Sequence, residues 1–129
     1  QPGIVTAARR FHDFARGAVI VAHNAPFDMA FLRRHDTDTG LDWEHPILDT
    51  VLLSAVLYGT TESHTLDALC ARLGVEIPPN QRHSALGDAK ATARALVRML
   101  PMLEARGLAT LDAVIGETRR HGRLLRDLN

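Results

Sequence analysis

Three carboxylates and one imidazole stand where a chain of this kind could do chemistry. Asp28 closes the run His23-Asn24-Ala25-Pro26-Phe27-Asp28, directly after the continuously apolar stretch Ala18–Ala22. It falls in the first turn of a helix expected from about Phe27 to His35, at the carboxyl end of a strand, where open α/β sheets bind ligands. Asp88 closes His83-Ser84-Ala85-Leu86-Gly87-Asp88 and lies on or near a small-residue face formed by Ala85, Ala89, Thr92, Ala93 and Leu96. A carboxylate on such a packing face is costly unless it is paired, protonated or bound to a cation. His83 and Asp88 would lie about 140° apart on one continuous helix, so they converge only if His83 sits on the preceding loop. The third acid, Asp49, follows Ile47-Leu48 and precedes Thr50.

Each acid also has a plain structural role open to it. Asp28 in a first helical turn favours the macrodipole, Asp88 could be a surface residue, and Asp49 reads first as the cap of the helix beginning at Thr50. Together they suggest more. Two-metal phosphodiester cleavage needs several carboxylates converging on ions roughly 4 Å apart, with a base to deprotonate the attacking water. Hard divalent cations take oxygen ligands, and a histidine titrating near neutrality can be the base.

The elements that must position these groups alternate between helix and strand. Ile4, Ala7, Ala8, Phe11, Phe14 and Ala15 recur at helical spacing, and Gly17 ends that helix. Ala18–Ala22 suits a strand buried on both faces. Asn24 is a plausible N-cap and Pro26 fits a first helical turn. The polar stretch Asp36–Pro46 reads as loop, Ile47-Leu48 as a buried segment, and Thr50–Leu57 as helix. Thr65 caps a helix that ends at Gly74, and Val75–Arg82 is loop. Ser84–Leu100 is the clearest helix, ended by Pro101. The tail Thr110–Leu128 reads as one more helix with an Arg-rich end (Arg119, Arg120, Arg123, Arg126), more in keeping with a solvated helix terminus than with a nucleic-acid contact. The expected class is an α/β layer fold. One convincing strand, or two, is few for a sheet and hints at strands preceding Gln1.

Composition narrows the class without choosing the function. The 129 residues fit one domain. Formal net charge is zero, which removes any global basic signal but still allows a locally positive cleft. Lys90 is the only lysine; the excess of Arg suits phosphate forks, and codon bias explains it equally well. Cys70, the single cysteine, reads as a small buried hydrophobe. No apolar run approaches a membrane span and no signal-peptide pattern opens the chain, so the cytoplasm is the expected compartment.

With these residues in view, the sequence resembles the DEDDh (DnaQ-like) 3′–5′ exonucleases, the family of the proofreading ε subunit of bacterial DNA polymerase III. Asn24-x-x-Phe27-Asp28 is similar to the family's second motif and His83-x4-Asp88 to its third, within Val21-Ala22-His23-Asn24-Ala25 and Ser84-Ala85-Leu86-Gly87-Asp88-Ala89. Leu48-Asp49-Thr50 and Thr65-Leu66-Asp67 also look familial, and the likeness runs from the first helix to about Leu100. It implies a ribonuclease-H-like fold over residues 1–105, with 106–129 a helical extension. It implies that Asp88 ligates a metal, that Asp28 supports the metal site, partly through water, and that His83 is the general base. Asn24 and Phe27 would lie beside the terminal nucleotide. The cofactor implied is Mg²⁺ or Mn²⁺, two ions in a complete site. The partners implied are DNA or RNA 3′ ends, with a DNA polymerase or further domains of the same protein, and no membrane.

One departure matters. The family's first motif, an Asp-x-Glu on an opening strand, has no counterpart upstream of the first helix here. Asp42-Trp43-Glu44 is the only Asp-x-Glu and falls after the second motif in a polar loop, a chance occurrence. The expectation is therefore a domain whose N-terminal strands lie outside this chain, with low activity for the chain alone. The alternative is a degenerate, non-catalytic remnant that binds nucleic acid or protein.

Overall fold

The computed structural model describes residues 3–34, 40 and 43–128, and at 27, 31 and 126–128 the backbone alone. Helix α1 spans Ile4–Phe14, strand β1 Ile20–Ala22, and helix α2 Ala25–Arg33. Strand β2 (Ile47–Asp49) runs straight into α3 (Thr50–Tyr58), followed by α4 (Leu66–Leu73) and α5 (Ala85–Ala105). A short 3₁₀ turn, Pro79–Gln81, precedes α5. The chain closes with α6 (Leu111–Thr118), a second 3₁₀ turn at Arg119–His121, and α7 (Gly122–Leu128). His35, the expected end of α2, and Asp42 lie outside the described residues.

β1 and β2 pair in parallel with Ile20 opposite Ile47 and Ala22 opposite Asp49, so both strands end at the same level. Each strand delivers the chain directly to a helix, the α/β arrangement the sequence predicts. The main core joins Leu48, Leu53, Leu57, Leu69, Ala95, Met99, Leu103 and Val114, drawing on β2, α3, α4, α5 and α6. α3 is buried nearly all round because α5 flanks it and the C-terminal helices cover it, with Leu125 of α7 against Val51 and Leu52. Cys70 is buried with Val75 and Ala91, as expected of a small hydrophobe, and burial pushes its thiol pKa up. Among the described residues no helix is long and apolar enough to cross a membrane.

Two helix ends differ from expectation. α5 continues through Pro101 to Ala105 because Met99 and Leu103, one turn apart on the same face, are both sealed in the core. Their burial is worth about 1.5–3 kcal/mol each, together enough to offset the roughly 3 kcal/mol that a proline inside a helix costs. The tail is not one helix but two, separated by the 3₁₀ turn Arg119–His121; Thr118, the last residue of α6, is buried and its hydroxyl donates to the Ile115 carbonyl.

Candidate active site

Asp28, in the first turn of α2, and Asp88, in the first turn of α5, face a common space. Both line one cleft of about 760 Å³, walled by Ile20, Val21, Ala22 and His23 of the β1 segment, Met29 and Leu32 of α2, and Ala85, Ala89, Thr92 and Ala93 of α5. They are the only charged side chains among the described residues that line it. Two acids with no Lys or Arg among the described residues of the wall give a negative field that favours a cation. Burial raises the Asp28 pKa above 3.8, the Asp49 carboxylate behind the cleft raises it further, and the His23 ring opposes them.

The position of Asp28 is set from across the sheet. Asn24 adopts a left-handed backbone, φ 68°, and its side chain caps nothing, contrary to the N-cap expected of it. Asp49 does that work. Its carboxylate, 4% exposed, accepts the backbone N–H of Asn24 at 3.0 Å and of Ala25 at 2.5 Å while also accepting Val51 N–H at 2.9 Å. The cap expected for α3 is therefore shared with α2, because register brings Asp49 beside Ala22 and hence beside the chain leaving β1. The anion sits at two helix N-termini at once, where the macrodipoles favour it.

Asp88 is held by a different device. The Ser84 hydroxyl accepts Gly87 N–H at 2.9 Å and donates to the Gln81 carbonyl at 2.8 Å, tying the first turn of α5 to the preceding 3₁₀ turn. A Cβ on Gly87 would lie 1.9 Å from the Gln81 oxygen, so only glycine lets these segments meet. Asp88 follows on the cleft side and is half-buried.

Two histidines missed as structural elements brace this region. His23 bonds through Nδ1 to the Thr50 hydroxyl at 2.8 Å and donates Nε2–H to the His64 carbonyl at 2.8 Å. His64, 8% exposed, donates Nε2–H to the Gly59 carbonyl at 2.8 Å and bonds through Nδ1 to the Ser54 hydroxyl at 2.7 Å. Burial lowers both pKa values below 6.5, more than the hydrogen bonds to carbonyls raise them. Each ring presents Nε2–H to a carbonyl and Nδ1 to a hydroxyl. The available signal was their position: His23 directly follows β1, which is half-buried and not buried on both faces as expected, and His64 directly precedes a helix cap.

His83 does not join the two acids. It occupies an exposed turn with φ 63° and does not line the cleft. Asn24 lines a smaller neighbouring pocket of about 430 Å³, together with His23, Ser63, His64, Thr65 and Leu124. Phe27 lies in α2, its side chain outside the described residues. Among the described residues no group of three or more His, Cys, Asp or Glu forms a metal-binding cluster. Asp28 and Asp88 could supply oxygen ligands to a hard divalent ion, but as a pair they make an incomplete set.

Comparison with known proteins supplies the context for this geometry. The family model described as Exonuclease (RNase_T) matches residues 1–96. A DNA polymerase III subunit epsilon-like protein of Rhodobacter capsulatus is 59% identical over 128 residues, covering 99% of this chain and 18% of that protein. The DNA polymerase III PolC-type protein of Caldanaerobacter subterraneus is 37% identical over 113 residues, covering 88% of this chain and 8% of that protein. The PolC-type protein of Bacillus subtilis is 34% identical over 114 residues, covering 86% and 8% respectively. The chain thus spans less than a fifth of the length of these relatives.

Proposed function

Because the chain belongs to the exonuclease (RNase_T) family, we propose that it contributes two carboxylates to a 3′–5′ exonuclease site that hydrolyses phosphodiester bonds at nucleic-acid 3′ ends. The observation that carries the reading is the shared cleft of Asp28 and Asp88, acidic and with no Lys or Arg among the described residues of its wall. Mg²⁺ or Mn²⁺ held by Asp88 directly and by Asp28 in part through water would supply Lewis acidity and a more acidic attacking water. The remaining ligands come from residues outside this pair. Asn24 and Phe27, both in the segment leaving β1, flank the terminal nucleotide. His83 takes a proton from the attacking water at a ring nitrogen. It does so from a turn that must swing toward the cleft, since catalytic contacts often tighten only with substrate bound. Relatives named for DNA polymerase III favour DNA 3′ ends and a proofreading-type task.

A second reading, a non-catalytic remnant of the same fold, draws on the absence of a three-ligand cluster among the described residues. One experiment separates the two. The full-length protein is mixed with an end-labelled oligonucleotide and Mg²⁺ or Mn²⁺, as wild type, Asp28→Ala, Asp88→Ala and His83→Gly. Each substitution should slow release of mononucleotides by about 100-fold or more, the usual scale for losing a general base or a metal ligand. His83→Gly suits this test because glycine adopts the left-handed backbone without strain, so lost activity is not lost folding. Equal rates for all four proteins would refute the role assignments, and an inert wild type would favour the remnant.

A further inference from the structure

The Arg-rich turn at the start of α7 lies next to the candidate site, which its sequence alone does not show. Leu124 of α7 lines the 430 Å³ pocket together with His23 and Asn24, and His23 also lines the acidic cleft. His121, in the 3₁₀ turn, is close enough to His64 to disfavour a second positive charge there. Cleft, pocket and turn are therefore consecutive along one surface. Residues 119–126 read Arg-Arg-His-Gly-Arg-Leu-Leu-Arg and contain no acid. Arg119, Arg120 and Arg123 are exposed, and Arg119 and Arg123 form no ion pair among the described residues. Arg120 reaches Glu117 at 3.7 Å but stays 76% exposed, and such a surface pair is worth little. Glu62, the one acid among the described residues lining the pocket, lies 4.0 Å from Arg72. The chain is neutral overall, so this basic turn is a local feature.

We propose that this surface carries the phosphodiester backbone of the single strand whose 3′ end enters the cleft, with Arg119, Arg120 and Arg123 meeting its phosphates and the Asn24–Ser63–Thr65–Leu124 pocket lying under the strand between. The proposal rests on the exonuclease reading for the direction of the strand, and its charge complementarity is independent of cleavage. A strand that leaves Asp28 and Asp88 past His23, which lines both the cleft and the pocket, meets the basic turn next.

The test compares the full-length wild type with a triple Arg→Gln variant at positions 119, 120 and 123, and with a triple Arg→Lys variant that keeps the charge. Binding of a labelled single strand of about 12 nucleotides is followed by anisotropy in EDTA, so that nothing is cut. Hydrolysis of a dinucleotide, too short to reach the turn, is measured separately with Mn²⁺. Thermal melting checks that each variant is folded. Losing three phosphate contacts should flatten the log–log salt slope by about 2 and cut the wild type's advantage roughly 20-fold between about 50 and about 200 mM salt. The Lys variant should bind like wild type, and dinucleotide hydrolysis should be unchanged in all three. Unaltered strand affinity and salt slope in the Gln variant, with dinucleotide hydrolysis intact, overturns the surface and leaves the exonuclease reading standing. Equal loss in the Gln and Lys variants also overturns it, because charge would then not be the cause. Loss of strand binding in the Gln variant alone, with no dinucleotide hydrolysis by any protein, supports the surface and refutes the exonuclease reading.

Discussion

Replacing Asp49 should unfold the site before it alters any chemistry. Its carboxylate accepts three backbone N–H groups, two from the entry to α2 and one from the first turn of α3, and it is almost fully buried. In Asp49→Ala all three donors lose their partner. Loss of a cap costs about 1 kcal/mol, and each hydrogen bond to a charged acceptor about 1.5–3 kcal/mol. Relief of the buried charge offsets part of this. A net loss of about 3 kcal/mol follows, and with an unfolding entropy of about 2.1 cal/mol/K per residue it lowers Tm by roughly 10 °C. Asp49→Asn is the sharper variant. Oδ1 accepts from Asn24 and Val51 while Oδ2 accepts from Ala25. An amide must turn its NH₂ toward one set of donors, so this nearly isosteric change should still cost about 2 kcal/mol. Thermal and urea unfolding followed by circular dichroism give both numbers. Stability within about 0.5 kcal/mol of wild type in both variants, with activity lost, would refute the clamp and assign Asp49 to the chemistry instead.

Two further outcomes follow from the same geometry. Gly87→Ala forces a Cβ to within 1.9 Å of the Gln81 carbonyl oxygen, a backbone atom that cannot yield cheaply. We expect a loss of about 2 kcal/mol or more in chemical denaturation, together with loss of the proposed 3′-end hydrolysis, because Asp88 moves with the turn. For pH, the folded-state values of His23 and His64 are depressed below the ordinary 6.5, so the unfolded chain binds more protons in acid. Their contribution to stability is complete above 6.5 and is lost as pH falls from 6.5 through the lower folded values. Tm measured between about pH 7.5 and 5 should fall in wild type, and fall less in His64→Gln; parallel curves for the two proteins would refute it.

Local features of the structure were legible where the physics was local. Helix periodicity, the Thr65 cap with its hydrogen bond to Ala68 N–H, the left-handed Gly74 terminus and the Asp49 cap of α3 all follow from neighbouring residues. What escaped depends on partners distant in sequence. The true acceptor at the start of α2 lies 25 positions from Asn24, and nothing near Asn24 indicates it. His23 pairs with Thr50 and His64 across 27 and 41 positions. Pro101 failed as a terminator because the burial of Leu103 is decided by α3 and α6, not by the residues around the proline. The convergence of Asp28 and Asp88 was legible only through family spacing, since no periodic pattern relates a first turn at Asp28 to one at Asp88. His83, which that spacing suggested would join them, stands on an exposed turn with a left-handed backbone and does not line the cleft.

The two cleft carboxylates share one positional logic. Each stands in the first turn of a helix, where the macrodipole stabilises a negative charge by about 0.3–1 kcal/mol and so opposes the burial that raises Asp28. Neither residue fixes its own place. Asp28 is set by a carboxylate on the neighbouring strand, and Asp88 by a serine and a glycine in the turn before its helix. A side chain at a helix start moves as the helix start moves, and a displacement of about 1 Å is enough to cost roughly 100-fold in a positioned reaction. Sensitivity to substitution should therefore extend beyond the cleft wall to Asp49, Ser84 and Gly87. The wall itself should be more permissive, because Ala89 and Ala93 face open space and make no hydrogen bond to either acid. An alanine-to-serine change at either wall position should leave both stability and site geometry intact, whereas Ser84→Ala should disturb both by releasing Gly87 N–H and the Gln81 carbonyl together.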